Sequence, residues 1–151
     1  MPTLTITTGL PGSGKTTYAR AWVAEDPATR SRCNRDDIGT QLHGRRFYGQ
    51  EDLYEVTETA ITNVQCAQIR ELLRMGRDVI VDDTNLREEH AERLRNLAAW
   101  EGAGFEVVDM TDVPLDVVLD RNAQRVGTPA FVAEDVIRDM WDRYVRDQVT
   151  S

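Results

Sequence analysis

The sequence predicts an α/β domain: a central parallel sheet of about four strands flanked by helices on both faces. Three observations lead there. Short runs at residues 3–9, 31–34, 78–83 and 105–110 read as strands. Longer helical patterns separate them, and that alternation is what a parallel sheet with crossover helices requires. Between the first strand and the first helix lies a glycine-rich turn, Gly9-Leu10-Pro11-Gly12-Ser13-Gly14-Lys15-Thr16.

Taken in order, residues 3–9 (TLTITTG) alternate polar and apolar side chains and end on glycine, as a strand entering a turn does. Residues 15–26 read as a helix, with Pro27 just beyond its end. Residues 31–34 are a short candidate strand. Residues 35–44 suggest a short helix opened by acids, and residues 44–52 a loop with two glycines and two arginines. Residues 51–75 form the longest helical pattern; Leu53, Val56, Ala60, Val64, Ala67 and Leu72 mark its expected buried face. Gly76 is the expected stop. Residues 78–83 (DVIVDD) are the clearest strand, an apolar run suited to a sheet covered on both sides. A charged amphipathic helix over 86–101 and a fourth strand over 105–110 follow. Helices over 115–125 and 133–149 close the chain, separated by the mobile-looking VGTPAF segment.

At 151 residues the chain fits one domain, with no internal repeat and no shift in composition. Apolar residues are 40% and charged residues 29%, ordinary for a globular chain. No apolar run approaches the length of a membrane span, and the first residues lack the pattern of a signal peptide. A cytoplasmic location is the expectation. Cys33 and Cys66 are expected as reduced thiols, and with His43 and His90 isolated no zinc cluster is expected. The net charge of −8 argues against a protein that coats long nucleic acid with a broad basic face. It leaves room for a local basic pocket.

The glycine-rich turn matches G-x-x-x-x-G-K-[ST] at every fixed position, with a strand before and a helix after. Glycines let backbone N–H groups face phosphate oxygens, and the helix N-terminus adds partial positive charge. Gly12, Ser13, Gly14, Lys15, Thr16 and Thr17 are therefore the expected nucleotide-binding residues. Lys15 would reach the β- and γ-phosphates, and Thr16 would offer a hydroxyl to Mg²⁺. Lys15 is also the only lysine among eighteen basic residues. A compact ammonium fits a tight backbone ring where a flat guanidinium does not.

The chain is short for a motor domain and lacks the N-K-x-D of a GTPase, which leaves a small phosphoryl-transfer enzyme. Three clusters could complete it. In Asn34-Arg35-Asp36-Asp37 a carboxylate could accept a hydroxyl proton, or the acids could cap the following helix. In Val81-Asp82-Asp83-Thr84-Asn85 an acid could act on Mg²⁺ through water, or Thr84 or Asn85 could cap a helix. Arg121 and Arg125, four apart, could close on phosphates beside a flexible lid, or form a solvated helix face.

Together these motifs resemble the kinase domain of the phage polynucleotide 5′-kinase/3′-phosphatase family: GLPGSGKTT its phosphate loop, NRDD its acceptor motif, DDTNL its third-strand acid and RNAQR its lid arginines. The resemblance implies a P-loop kinase fold and Asp36 as general base. Arg35, Asp83 and Thr84 fall at the acceptor side, Asp83 also reaching Mg²⁺ through water, and Arg121 and Arg125 fall at the donor phosphates. It implies ATP and Mg²⁺ as co-substrate and cofactor, a DNA or RNA 5′-hydroxyl end as partner, no membrane partner, and host cytoplasm if the chain is phage-encoded. Two departures stand out. Gly39 occupies a position where phage members carry an acceptor-holding arginine, as in the eukaryotic version, and Arg45 or Arg46 is the candidate replacement. No phosphatase D-x-D-G-T is present. Residues 1–151 are therefore expected to be a single kinase domain, stand-alone or one half of a bifunctional protein, acting in end repair over a short footprint. The alternatives are a P-loop kinase of a small metabolite or nucleoside and, from another class, a non-catalytic ATP-gated binding module.

Overall fold

A computed structural model describes residues 1–149. Strands β1 (Thr3–Thr8), β2 (Arg30–Cys33), β3 (Asp78–Val81) and β4 (Gly104–Asp109) form one sheet in the order β2-β3-β1-β4, with every pair parallel. The helices are α1 (Lys15–Glu25), α2 (Arg35–His43), α3 (Glu51–Arg74), α4 (Glu88–Trp100), α5 (Leu115–Ala123), α6 (Glu134–Tyr144) and α7 (Arg146–Val149). The expected α/β architecture is present, as a P-loop kinase fold. Among the described residues no helix is long and apolar enough to cross a membrane.

Register decides what the sheet presents. Val81 lies opposite both Ile6 and Cys33, and Ile6 also pairs with Val107. The residues that follow β2 and β3, Asn34 and Asp82, therefore emerge side by side at the carboxyl edge, next to the turn that leaves β1. In an open parallel sheet this edge holds the ligand crevice.

Consecutive residues are buried in β1, from Leu4 to Thr7, and in β3, from Val79 to Val81, which requires cover on both faces. On one face Leu4, Ile6, Val79 and Val81 pack against Ile69 and Leu73 of α3 and Leu94, Leu97 and Ala98 of α4. Thr5, Thr7 and Ile80 point to the other face and are equally buried. A second apolar cluster joins Leu10 of the glycine-rich turn to Val118, Ile137 and Val145. The expected helix over 133–149 is broken at Val145, whose side chain is buried in this cluster between α6 and α7. Cys33 and Cys66 are unpaired, and burial pushes the Cys33 thiol up to about 12.

The α3 face requires correction. Its buried residues are Thr57, Ile61, Gln65, Ile69 and Leu73, spaced strictly by four. Leu53 and Val56, expected inside, are exposed, as is Ala67, while Ala60, Val64 and Leu72 are only half-buried. Two polar side chains occupy the true stripe, so apolar residues beside it imitate a face. Gly76 ends the helix as expected, with a left-handed φ of 82° and its N–H donated to Leu73 O at 2.9 Å.

This face makes a direct prediction. Ile69→Ala should cost about 2–5 kcal/mol in urea unfolding, the usual range for emptying a core position. Val56→Ala, at a residue 70% exposed, should change stability by less than about 0.5 kcal/mol. Comparable losses at both positions would restore the other face.

Candidate active site

The turn after β1 is shaped by close contacts. Gly12 has a φ of 90°, and a Cβ there would stand 2.9 Å from Val118 O, so α5 presses directly on the turn. Neither the left-handed backbone nor the contact admits a side chain. Lys15 is 7% exposed. Its Nζ donates to Leu10 O at 2.7 Å and to Ser13 Oγ at 3.4 Å. Burial pulls the ammonium down to about 8; Asp82 and Asp83 pull it back up, Arg125 pushes it down and Asp36 raises it. Charge at this atom is thus felt by residues from three other segments. Ser13 is buried, Thr16 half-buried and Thr17 exposed at the start of α1.

The two acids after β3 are fully engaged. Asp82, 2% exposed, accepts from Asn34 Nδ2 at 3.1 Å and from Arg32 Nε at 2.8 Å. Asp83 accepts from the backbone N–H of Arg35 at 2.9 Å and from Gln65 Nε2 at 2.8 Å. Burial pushes the Asp83 carboxyl up to about 6, against the pull of these two donors. The Arg35 N–H lies in the first turn of α2, where helix N–H groups lack internal partners. Asp83 therefore caps α2 across the site. Thr84 and Asn85 cap no helix: α4 starts after Arg87 with no side-chain cap. Thr84 is half-buried, and its carbonyl accepts the Gly9 N–H at 3.1 Å. Asn85, buried with a left-handed φ of 47°, donates its Nδ2 hydrogens to Thr7 O at 2.9 Å, Asp83 O at 3.1 Å and Val81 O at 3.3 Å. It staples the exits of β1 and β3 together.

The local N-cap of α2 is Asn34, whose Oδ1 accepts the Asp37 N–H at 3.0 Å. Asp36 is thereby relieved of capping and projects into solvent. Its carboxylate pairs with Arg46, Nη1 to Oδ1 at 2.6 Å. Arg46 is held by Glu58, to which it donates from Nε at 2.8 Å and from Nη2, and it lies 4.9 Å over the Tyr48 ring. Glu58 also receives Arg35 Nη2 at 3.2 Å. Gly39 explains the route of Arg46: a Cβ on Gly39 would sit 2.4 Å from Arg46 Cδ. Between the two candidates for the missing acceptor-side arginine, Arg46 is the one that crosses Gly39. Arg45 stacks on Phe47 at 4.4 Å instead.

On the opposite side, Arg121 donates from Nη1 to Gly12 O at 3.2 Å, so its guanidinium rests on the glycine-rich turn. Arg125 follows α5, half-buried, close enough for its charge to reach Lys15. Asn122 between them grips Val132 through both its side-chain atoms, at 2.6 and 3.0 Å. This fixes the far end of the exposed segment at 126–130. Asp36, Asp83, Lys15 and Arg125 thus share one site, with Arg121 at its rim. Sequence reasoning missed Arg32, Glu58 and Gln65. Only Gln65 left a signal, as a polar residue at the four-residue spacing of Ile61, Ile69 and Leu73.

Comparison with known proteins identifies the family and the fold. The family whose model matches is described as an AAA domain, matched over residues 4–146. A protein of Autographa californica nuclear polyhedrosis virus, assigned as a bifunctional polynucleotide kinase/RNA ligase, is 31% identical over 130 residues, covering 81% of this chain and 18% of that protein. The L-seryl-tRNA(Sec) kinase of Methanococcus maripaludis is 29% identical over 143 residues, covering 93% of this chain and 52% of that one. The chain thus spans under a fifth and about half of these relatives. Among solved structures, a chain of the Pnkp1/Rnl/Hen1 RNA repair complex superposes with a TM-score of 0.75 at 27% identity, covering 97% of this chain and 46% of that one. The APS kinase CysC of Mycobacterium tuberculosis, at 21% identity and a TM-score of 0.63, shares the fold, over 80% of this chain and 68% of that one. The resemblance to a polynucleotide kinase domain read from the motifs is borne out.

The crossing of Arg46 over Gly39 can be tested by a double-mutant cycle. Ala in place of a helical Gly gains up to about 1 kcal/mol of helix propensity. In the Arg46→Ala background only Ile61 Cδ1, 3.2 Å from the new Cβ, opposes that gain, so Gly39→Ala should be better tolerated there. In the wild-type background it should be neutral or destabilising, because the new methyl displaces Arg46 from Glu58 and Asp36. Equal gains in both backgrounds, by chemical denaturation, would refute the contact.

Proposed function

The chain belongs to the AAA domain family and has a P-loop kinase fold; on that premise we propose that it transfers the γ-phosphate of ATP to the 5′-hydroxyl end of DNA or RNA. One observation carries the reading. Thr84 O holds the Gly9 N–H at 3.1 Å, Asp83 holds the Arg35 N–H at 2.9 Å and Arg121 donates to Gly12 O at 3.2 Å, so the segments we read as third-strand acid, acceptor motif and lid helix are tied to the glycine-rich turn. The polynucleotide acceptor is supported by the names of the viral relative and of the RNA repair complex.

In this reading each site residue has a role. Lys15 and the backbone of the glycine-rich turn hold the donor phosphates. Asp36 takes the proton of the attacking hydroxyl, and Arg46 keeps its carboxylate aimed. Asp83 fixes the start of α2, and with it the distance between Asp36 and the cradle. Arg121 and Arg125 approach from α5 to neutralise charge on the transferring group, a role for which preorganised cations are suited. Arg35 and Thr84 line the acceptor side.

The residues also fit a magnesium ion. The Thr16 hydroxyl makes no side-chain hydrogen bond among the described residues, and Asp82 and Asp83 lie within electrostatic reach of Lys15. Among those residues no group of three or more His, Cys, Asp or Glu forms a cage, which suits an ion that relies on water and phosphate oxygens. Thr16, with Asp83 through water, would hold it, and when bound it would supply charge neutralisation at the donor phosphates.

A second reading, with the hydroxyl on a tRNA-borne or smaller acceptor, draws on the match of the tRNA kinase to 93% of this chain. Labelled ATP offered with a 5′-hydroxyl oligonucleotide, a mononucleotide, seryl-tRNA or small alcohols separates the two. Transfer to the oligonucleotide is expected. Asp36→Asn should retain ATP binding and lose about 10²- to 10⁴-fold in kcat. Lys15→Arg should lose activity despite keeping the charge. Label appearing only on the tRNA or a small molecule would overturn the acceptor, and ATP binding without any transfer would favour a binding module.

A further inference from the structure

The loop at residues 44–50 carries more than the Arg46 strut. Tyr48 is 62% exposed and Tyr54, in the first turn of α3, is 38% exposed. Their ring centroids are 5.5 Å apart with planes at 39°. Large aromatic rings left in water lose the burial that usually stabilises them, and here two do so beside one another. Their place is specific. The same Arg46 guanidinium that lies over the Tyr48 ring reaches Asp36 at 2.6 Å. One side chain therefore spans the distance from the aromatic surface to the carboxylate assigned to the reacting hydroxyl.

We propose that Tyr48, backed by Tyr54, is a stacking seat for the terminal nucleobase of the acceptor strand. The inference rests on the polynucleotide reading given above and adds to it the part of the substrate that the loop recognises. Charge narrows the ligand. Glu51, Asp52, Glu55 and Glu58 lie on the adjoining turns of α3, and Arg46 is already committed to Glu58 and Asp36. A phosphate at the ring would meet Glu51, Asp52 and Glu55, with Arg46 committed to acids and Arg45 laid over Phe47. A neutral aromatic base would not be repelled, and any base offers a π-face to stack. The seat is therefore tolerant of sequence, and it rewards a nucleoside end over a bare sugar alcohol.

The test pairs two acceptors with two variants. A 5′-hydroxyl oligonucleotide is compared with the same strand carrying an abasic terminal sugar. In the wild-type protein, loss of the base should raise the acceptor KM about 5- to 150-fold, the range that base–aromatic stacking supports. Tyr48→Ala should raise KM for the intact strand towards the abasic value and leave KM for the abasic strand unchanged. Tyr48→Phe, which keeps the ring, should behave as wild type. If Tyr48→Ala raises KM equally for both strands, the ring acts only through Arg46 and the seat is refuted. A change in the KM for ATP instead would assign the ring to the donor. A wild-type protein that phosphorylates both strands with one KM loses the seat but keeps its proposed function. A wild-type protein that phosphorylates neither strand loses both.

Discussion

A buried ammonium held by one backbone carbonyl and one hydroxyl is the constraint on which the site depends. Removing a cation from water is costly unless fixed dipoles and opposite charges replace the lost hydration. Lys15 meets that cost locally through Leu10 O and Ser13 Oγ, and at longer range through Asp82 and Asp83. The compensation is incomplete, and the ammonium is drawn down to about 8. Because this value lies below the ordinary lysine range, the charged form is less favoured in the folded chain than in the unfolded one. That penalty is greatest at neutral pH and disappears as pH rises through 8 towards 10.5. A polyanionic donor would supply the missing charge, so the cradle is poised for phosphate.

Hydrogen bonds around the cradle keep this arrangement in register. Asn85 binds carbonyls of β1 and of the β3 exit at once, Thr84 holds Gly9, and Asp83 reaches across to the start of α2. The glycine-rich turn and the start of α2 are thus parts of one hydrogen-bonded frame instead of two loops that meet by chance. Gln65 of α3 completes the frame by donating to Asp83. Gln65 therefore stands on the buried stripe of a core helix because the site needs a donor there, whereas Thr57 satisfies its hydroxyl within α3.

That same substitution of site chemistry for core packing set the limit of what could be read from residues. The sheet was legible because β1 and β3 are buried on both faces and the turn between β1 and α1 has a spacing that only a phosphate cradle demands. Asp36, Asp83 and the paired arginines were legible as types at strand ends and helix spacing. Whether they capped helices was not, because Asn34 and Asp83 cap α2 from different segments, 49 positions apart. The α3 face was misread where Thr57 and Gln65 interrupt the apolar series. Arg46 was legible only as one of two neighbours, since the choice depends on a close approach to Gly39 that no spacing encodes.

The single lysine makes the central constraint directly measurable. In protein labelled with ¹³C-lysine, the Cε signal reports one residue without assignment, and its shift can be followed with pH. A midpoint near 8 is expected for Lys15 in the free protein, moving upward when ATP is added, because the phosphates favour the charged ammonium. A midpoint at the ordinary value of about 10.4, unmoved by ATP, would contradict the account: the lysine would then be solvated, and the site would not be organised around it.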